Sequence, residues 1–257
     1  MDILLIGSGN TATVLGRKCL LAGHRIIQVY SRQDEHASRL ALHLNTRYTT
    51  QISSVEKNAD LMIVALRDEA ILPFMEAVGV IRFPVAHTAG SVSIEAVNNP
   101  GQCYGVVYPL QSLRREIDLI PPITMLVDGN TPETLEVFLR FADSIADQTI
   151  RADDTTRLKY HLAATLVNNF TNYLFALTED FCEMENISFA LLQPLIEETV
   201  IRLRNISPVS TQTGPAIRND QLTLDKHRRI IKDYPALSRL YELFTQEIQH
   251  TAIKLKP

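Results

Sequence analysis

Cysteine is scarce in this 257-residue sequence: Cys19, Cys103 and Cys182 stand far apart with no paired spacing. That pattern excludes a disulfide framework and a zinc cluster, so no metal site is expected and a reducing, cytoplasmic setting fits best. Long apolar runs are also missing. None reaches the roughly 18 residues that would span a bilayer, and Met1–Ile6 is too short for a signal-peptide core. No membrane association is expected. Positive charge is not in excess either, since 25 Lys and Arg face 29 Asp and Glu for a formal net charge of −4. A basic surface able to neutralise phosphates is therefore absent, which argues against nucleic acid as a partner.

Apolar residues, by contrast, make up 46% of the chain, ample for the core of one large domain or two ordinary ones. Residues 2–6 form an apolar run closed by Gly7-Ser8-Gly9, and a helical pattern follows to Gly23. This reads as a buried strand, a tight turn and a helix stopped by glycine. Further strands are expected at Ile26–Tyr30, Leu61–Leu66, Pro84–His87, Gly105–Tyr108 and Thr124–Val127, with helices at 36–44 and 132–146. Alternating strands and helices predict a parallel sheet. After Ile150 the texture changes, and 3.6-period segments occupy about 154–185, 188–204, 220–232 and 235–253. The expected organisation is an α/β protein: a Rossmann-type parallel-sheet domain over 1–150, then an all-helical domain over 151–257.

Gly7-Ser8-Gly9-Asn10-Thr11-Ala12 matches the G-x-G-x-x-A dinucleotide fingerprint in its proper strand–turn–helix context. Gly7 permits the turn, Gly9 lets backbone approach a pyrophosphate, and Ala12 allows close helix packing. The helix N-terminus offers N–H groups and a positive dipole end to the phosphates. At the end of the second strand, where an acidic residue would hold an NAD ribose, stand Ser31 and Arg32, which suit the 2′-phosphate of NADP(H). Two more strand ends, Leu66-Arg67-Asp68 and His87-Thr88-Ala89-Gly90-Ser91, reach the same edge. Leu66, Arg67, His87 and Thr88 are further cofactor candidates, while Asp68, Ser91 and Ser93 could equally be helix caps.

The first helix after the texture change carries His161, Thr165, Asn168 and Asn172 at i, i+4, i+7 and i+11, which places them on one face of an α-helix. Such a row is a substrate face, a solvent-facing stripe or a buried polar seam between subunits. Reduction of a carbonyl or imine needs a proton donor beside the hydride acceptor. His161 suits that task, with Asn168 and Asn172 to orient an oxygen; Lys159 is the competing acid, about 200° around the helix. Tyr108 and Gln111 at a strand end, Thr165 on the polar row, and Arg218 in the loop 206–219 are candidate substrate ligands. Arg218 could clamp a carboxylate or simply pair with Asp220.

These motifs, together with His87–Gly90, Tyr108–Gln111 and Gly214–Asp220, resemble the family in which a Rossmann-like domain precedes DUF2520, regarded as NADP oxidoreductases. More distantly the chain is similar to pyrroline-5-carboxylate and ketopantoate reductases, with a helical part like the C-terminal domain of 6-phosphogluconate dehydrogenase. The resemblance implies a homodimer through the helical domain and NADPH-dependent reduction of a small keto or imino acid. It transfers no catalytic lysine: hydroxyacid dehydrogenases of this kind have asparagine four residues after the lysine, where this chain has Ala163. A non-catalytic NADPH or small-ligand sensor is the alternative reading, and hydride exchange with a deazaflavin a third.

Overall fold

The computed structural model describes residues 1–98 and 103–254, with side chains described through Thr251. Eight strands form one sheet: β1 (Asp2–Ile6), β2 (Arg25–Tyr30), β3 (Arg47–Thr49), β4 (Leu61–Val64), β5 (Val85–His87), β6 (Tyr104–Leu110), β7 (Thr124–Gly129) and β8 (Gln148–Arg151). Their spatial order is β3-β2-β1-β4-β5-β6-β7-β8. The crossover helices are α1 (Asn10–Leu21), α2 (Asp34–His43), α3 (Asp68–Val78) and α4 (Pro132–Ile145).

Burial follows the period of two. Ile3, Leu5, Leu61 and Ile63 point into one core with α1, α2 and α4, while Leu4, Ile6, Met62 and Val64 point into the other with α3. Both faces of the central strands are therefore apolar, as a doubly covered sheet requires.

The expectation of a wholly parallel sheet needs correcting at one joint. β6 and β7 pair antiparallel, Val107 opposite Val127, whereas the other pairs are parallel. The chain between them, residues 111–123, carries no helix to make the crossover that a parallel return demands. Two edge strands, β3 and β8, also escape the sequence pattern. They are short and largely exposed, so they lack an apolar run.

Helix α5 (Asp154–Ala164) packs on β6 and is capped by Asp153, whose carboxylate accepts from Thr156 N–H at 2.8 Å. A π-helical turn, Thr165–Phe170, links it to α6 (Thr171–Met184). An i→i+5 turn inserts in effect one extra residue and shifts the helix phase by about 100°. The single polar face expected for His161, Thr165, Asn168 and Asn172 assumed an unbroken 3.6-residue periodicity, which this turn interrupts.

The chain divides into two compact units, Met1–Asn168 and the residues from Asn169 onward. The first therefore includes α5 as well as the sheet. The second contains α6, α7 (Gln193–Arg202), α8 (Gln221–Ile230) and α9 (Pro235–Lys254). Inside it Phe181 meets Tyr234 edge-on at 5.1 Å, and Arg228 pairs with Glu242 at 2.7 Å. Few of its apolar side chains are buried, among them Cys182, Leu224 and Ile231. No helix among the described residues is long and apolar enough to cross a membrane.

Candidate active site

The turn after β1 has the geometry its glycines imply. Gly7 adopts φ +115°, and a Cβ there would stand 2.2 Å from the Ala65 carbonyl oxygen. Only glycine fits that close approach of the β1 and β4 ends. Gly9 is the N-cap residue of α1, and a Cβ on it would meet nothing within 4 Å. The α1 N-terminus carries no side-chain cap and no acidic residue in its first turn. By contrast, α4, α5 and α8 are capped by Thr131, Asp153 and Asp220. Open space over an uncapped helix dipole, with glycine where a side chain would intrude, fits a dinucleotide pyrophosphate.

Ser8 and Ser31 hydroxyls are hydrogen-bonded at 2.7 Å, tying the glycine turn to the end of β2. Next to that bond Arg32 is exposed, and Glu35 in the first turn of α2 is engaged by Arg39. Leu66 is half-buried beside the Gly7 turn, and Arg67 is exposed just before α3. Asn10 and Thr11 open α1, and Ala12 is fully buried under it.

At the ends of β5 and β6 a second cluster forms. The Tyr108 hydroxyl lies 3.1 Å from His161 Nδ1, with the rings edge to face at 5.9 Å and 72°. Gly90 seats this pair, because a Cβ there would come within 2.7 Å of His161 Nδ1 and 2.9 Å of Tyr108 Cζ. Beside it the Ser91 hydroxyl is hydrogen-bonded to the Asp68 carboxylate at the start of α3. Burial, and then the Asp68 charge, hold the Tyr108 phenol above its ordinary pKa of 10.

His87 lies under this cluster. It is fully buried, and its Nδ1 accepts the Ala89 N–H at 3.1 Å, which stiffens the turn leading to Gly90. Burial, reinforced by the neighbouring Arg157 charge, lowers its pKa to about 4 and keeps the ring neutral. Thr88 is buried beside it. Arg157, one turn before His161, is also fully buried. Its Nη2 donates to the Val92 carbonyl and, at 2.7 Å, to Asp154 Oδ1, which also accepts Ile94 N–H at 3.2 Å. The loop that carries Gly90 is thereby clamped to the first turn of α5.

The other candidates are dispersed. Gln111 staples its own loop, donating to the Pro122 carbonyl at 2.9 Å and accepting Ser112 N–H at 2.8 Å. The Thr165 hydroxyl bonds back to the His161 carbonyl at 3.0 Å. Lys159 and Asn168 are exposed in the first unit, and Asn172 and Arg218 are exposed in the second. Sequence reasoning passed over Arg157 and Asp154, since a charged pair in a first helical turn reads as a solvated end. Gly90 was legible only as part of a motif, without its contacts.

Residues 2–88 match the family described as NADP oxidoreductase coenzyme F420-dependent, and residues 123–248 match the domain of unknown function DUF2520. A candidate NADP oxidoreductase from Bacteroides fragilis is 34% identical, with 97% of this chain and 98% of that one covered at a TM-score of 0.91. The chain belongs to this family. It is an NADP-dependent oxidoreductase in which a Rossmann-type sheet precedes a mostly helical region, and its cofactor is NADP(H). A Thermotoga maritima protein shares the fold at 19% identity and a TM-score of 0.78, covering 97% of this chain and 99% of that one. So does the 1-pyrroline-5-carboxylate reductase of Streptococcus pyogenes, at 14% identity and a TM-score of 0.64, covering 97% and 98%. No curated protein matches the sequence.

Proposed function

We propose that this NADP oxidoreductase reduces a small, carboxylate-bearing keto or imino acid with NADPH. The observation that carries the reading is the meeting of Tyr108, His161 and Gly90 at the ends of β5 and β6. They lie on the edge of the sheet to which the Gly7 turn also belongs, the carboxyl edge where open α/β sheets bind ligands.

In this reading Gly7, Ser8, Gly9, Asn10, Thr11 and Ala12 hold the pyrophosphate. Ser31 and Arg32 take the 2′-phosphate, with Leu66 and Arg67 along the rest of the cofactor. When bound, NADPH supplies a hydride to an electron-poor carbon. His161 supplies the proton that the reduced oxygen or nitrogen requires. Tyr108 lies close enough to share that task, and Asn168, Asn172, Thr165, Gln111 and Arg218 remain substrate-side candidates, with Arg218 as the clamp for a carboxylate. Lys159, lacking a partner of the kind His161 has in Tyr108, ranks behind it as the acid. His87 and Thr88 act as a support beneath the cofactor edge. The imino-acid arm draws on the likeness in fold to a pyrroline-carboxylate reductase.

The division of labour assigns residues 1–150 to the cofactor and 151–257 to substrate and association. The protein acts as a cytoplasmic homodimer joined through its helical part. Support for the dimer comes from apolar side chains that a lone chain leaves to water, including Leu191 at 80% and Leu195 at 62% exposure.

Oxidation of NADPH by the purified protein, followed with pyrroline carboxylates, ketopantoate-like acids and simple 2-keto acids, tests the reading. Turnover with one class is expected, lost in His161→Ala. Tight NADPH binding with no acid reduced, and His161→Ala and Asn168→Ala indistinguishable from the parent in every assay, would overturn it in favour of an NADPH-sensing protein.

A further inference from the structure

A neutral imidazole carries one proton, on either nitrogen, and a neutral imidazole that gives this proton away must receive another or become an anion. His161 has a neighbour equipped for both problems. Its Nδ1 faces the Tyr108 hydroxyl at 3.1 Å. Burial and the Asp68 charge raise the phenol's pKa, so at neutral pH Tyr108 retains a proton that it can donate to Nδ1.

We propose that Tyr108 and His161 form a two-residue proton relay, in which Tyr108 fixes His161 as the Nε2–H tautomer and refills Nδ1 as Nε2 gives its proton to the substrate. The proposal rests on the reductase reading of the same site and deepens it. As the hydride adds to the substrate carbon, the π pair of the C=O or C=N bond moves onto oxygen or nitrogen. That atom forms a bond to the Nε2 proton and the Nε2–H bond breaks. The Tyr108 O–H bond breaks as Nδ1–H forms, so the ring ends neutral and the charge rests on the Tyr108 oxygen. One proton from solvent then adds to Nε2 as the Nδ1 proton passes back to the Tyr108 oxygen, which restores both the phenol and the first tautomer.

The surroundings hold the pair in register. Gly90 is the residue that permits the approach, since a methyl group there would collide with both rings. The clamp of Arg157 and Asp154 on Val92 and Ile94 ties the Gly90 loop to the turn of α5 that precedes His161. Tyr108 is thus a positioning residue that acts through His161.

The test is Tyr108→Phe in the full-length protein, which keeps the ring and removes only the hydroxyl. Nitrogen NMR of His161 without substrate should show the Nε2–H tautomer in the parent and a mixture in the variant, with melting temperature and NADPH affinity unchanged. With a turned-over acid, kcat should fall roughly 10–100-fold while KM stays within about twofold. The rate in mixed light and heavy water should curve in the parent, as for two protons in flight, and become linear in the variant. Gly90→Ala, whose methyl group pushes the two rings apart while both residues keep their chemistry, should reproduce the tautomer change. An unchanged His161 tautomer in Tyr108→Phe, or a linear proton dependence already in the parent, overturns the relay. If no acid is reduced, the reductase reading fails by itself, and the NMR measurement still decides whether Tyr108 governs the His161 tautomer.

Discussion

Leu42 on α2 and Leu191 beside α7 are almost equally exposed, at 81% and 80%. Their settings differ completely. Leu42 stands over a unit whose sheet is packed on both faces, with Phe138, Phe141 and Leu15 essentially inaccessible. Leu191 belongs to a unit in which Met184, Ile187, Leu195, Val200, Ile201 and Leu222 are more than half exposed as well. Scattered surface leucines are ordinary, whereas a dense accumulation of exposed apolar side chains is the pattern found at contact surfaces, and it supports the proposed dimer. The sheet of the first unit is covered on both faces by its own helices, whereas the helices of the second leave many of their apolar side chains exposed.

The sharpest way to break that contrast is to place the same charge on both leucines. Leu191→Asp with Leu195→Asp should dissociate the proposed dimer, weakening association at least 100-fold, whereas Leu42→Asp should leave sedimentation and melting unchanged. A parent that sediments as a monomer would remove the contrast altogether.

The completed core of the first unit makes its own prediction through His87. Its folded pKa of about 4 lies below the ordinary 6.5, so between these values the unfolded chain binds the extra proton. Stability is fully present above pH 6.5 and is lost as pH falls toward 4, by about 3 kcal/mol for this group. Denaturant unfolding at pH 7 and pH 4.5 should show that loss in the parent and a smaller one in His87→Gln.

A smaller effect, on the order of 2 kcal/mol, is expected for Gly7→Ala, where both the positive φ and the Ala65 carbonyl resist a methyl group. NADPH titration should show at least tenfold weaker binding. The smallest concerns cofactor choice: Arg32→Ala should reduce the preference for NADPH over NADH by roughly tenfold, as measured by the ratio of dissociation constants. An unaltered ratio would remove Arg32 from the 2′-phosphate site.

Much of this organisation was legible because it is local. The apolar runs at 2–6 and 61–64, the glycine turn and the 3.6-period segments after Asp153 each express their structure within a dozen residues. The texture change at 151 falls at the end of β8, although the compact unit continues through α5 to Asn168. What stayed hidden is non-local. Strands β3 and β8 are held by neighbours rather than by their own pattern, and the antiparallel β6–β7 joint follows from the absence of a crossover helix. A π turn interrupts a helix whose sequence reads as continuous. Tyr108 and His161 were each marked as chemically apt, but nothing in a sequence announces a hydrogen bond across 53 positions. Arg157 was invisible because only packing turns an arginine in a first helical turn into a buried clamp.

If substrate is reduced where Gly90, Tyr108 and His161 meet, a crystal structure of the protein with NADPH bound will show the reacting end of the cofactor there. The pyrophosphate is expected over Gly9 and the nicotinamide ring against the Gly90 loop, with C4 facing a space that His161 Nε2 can reach. A nicotinamide held away from Tyr108 and His161, with other side chains converging on its C4, would contradict it.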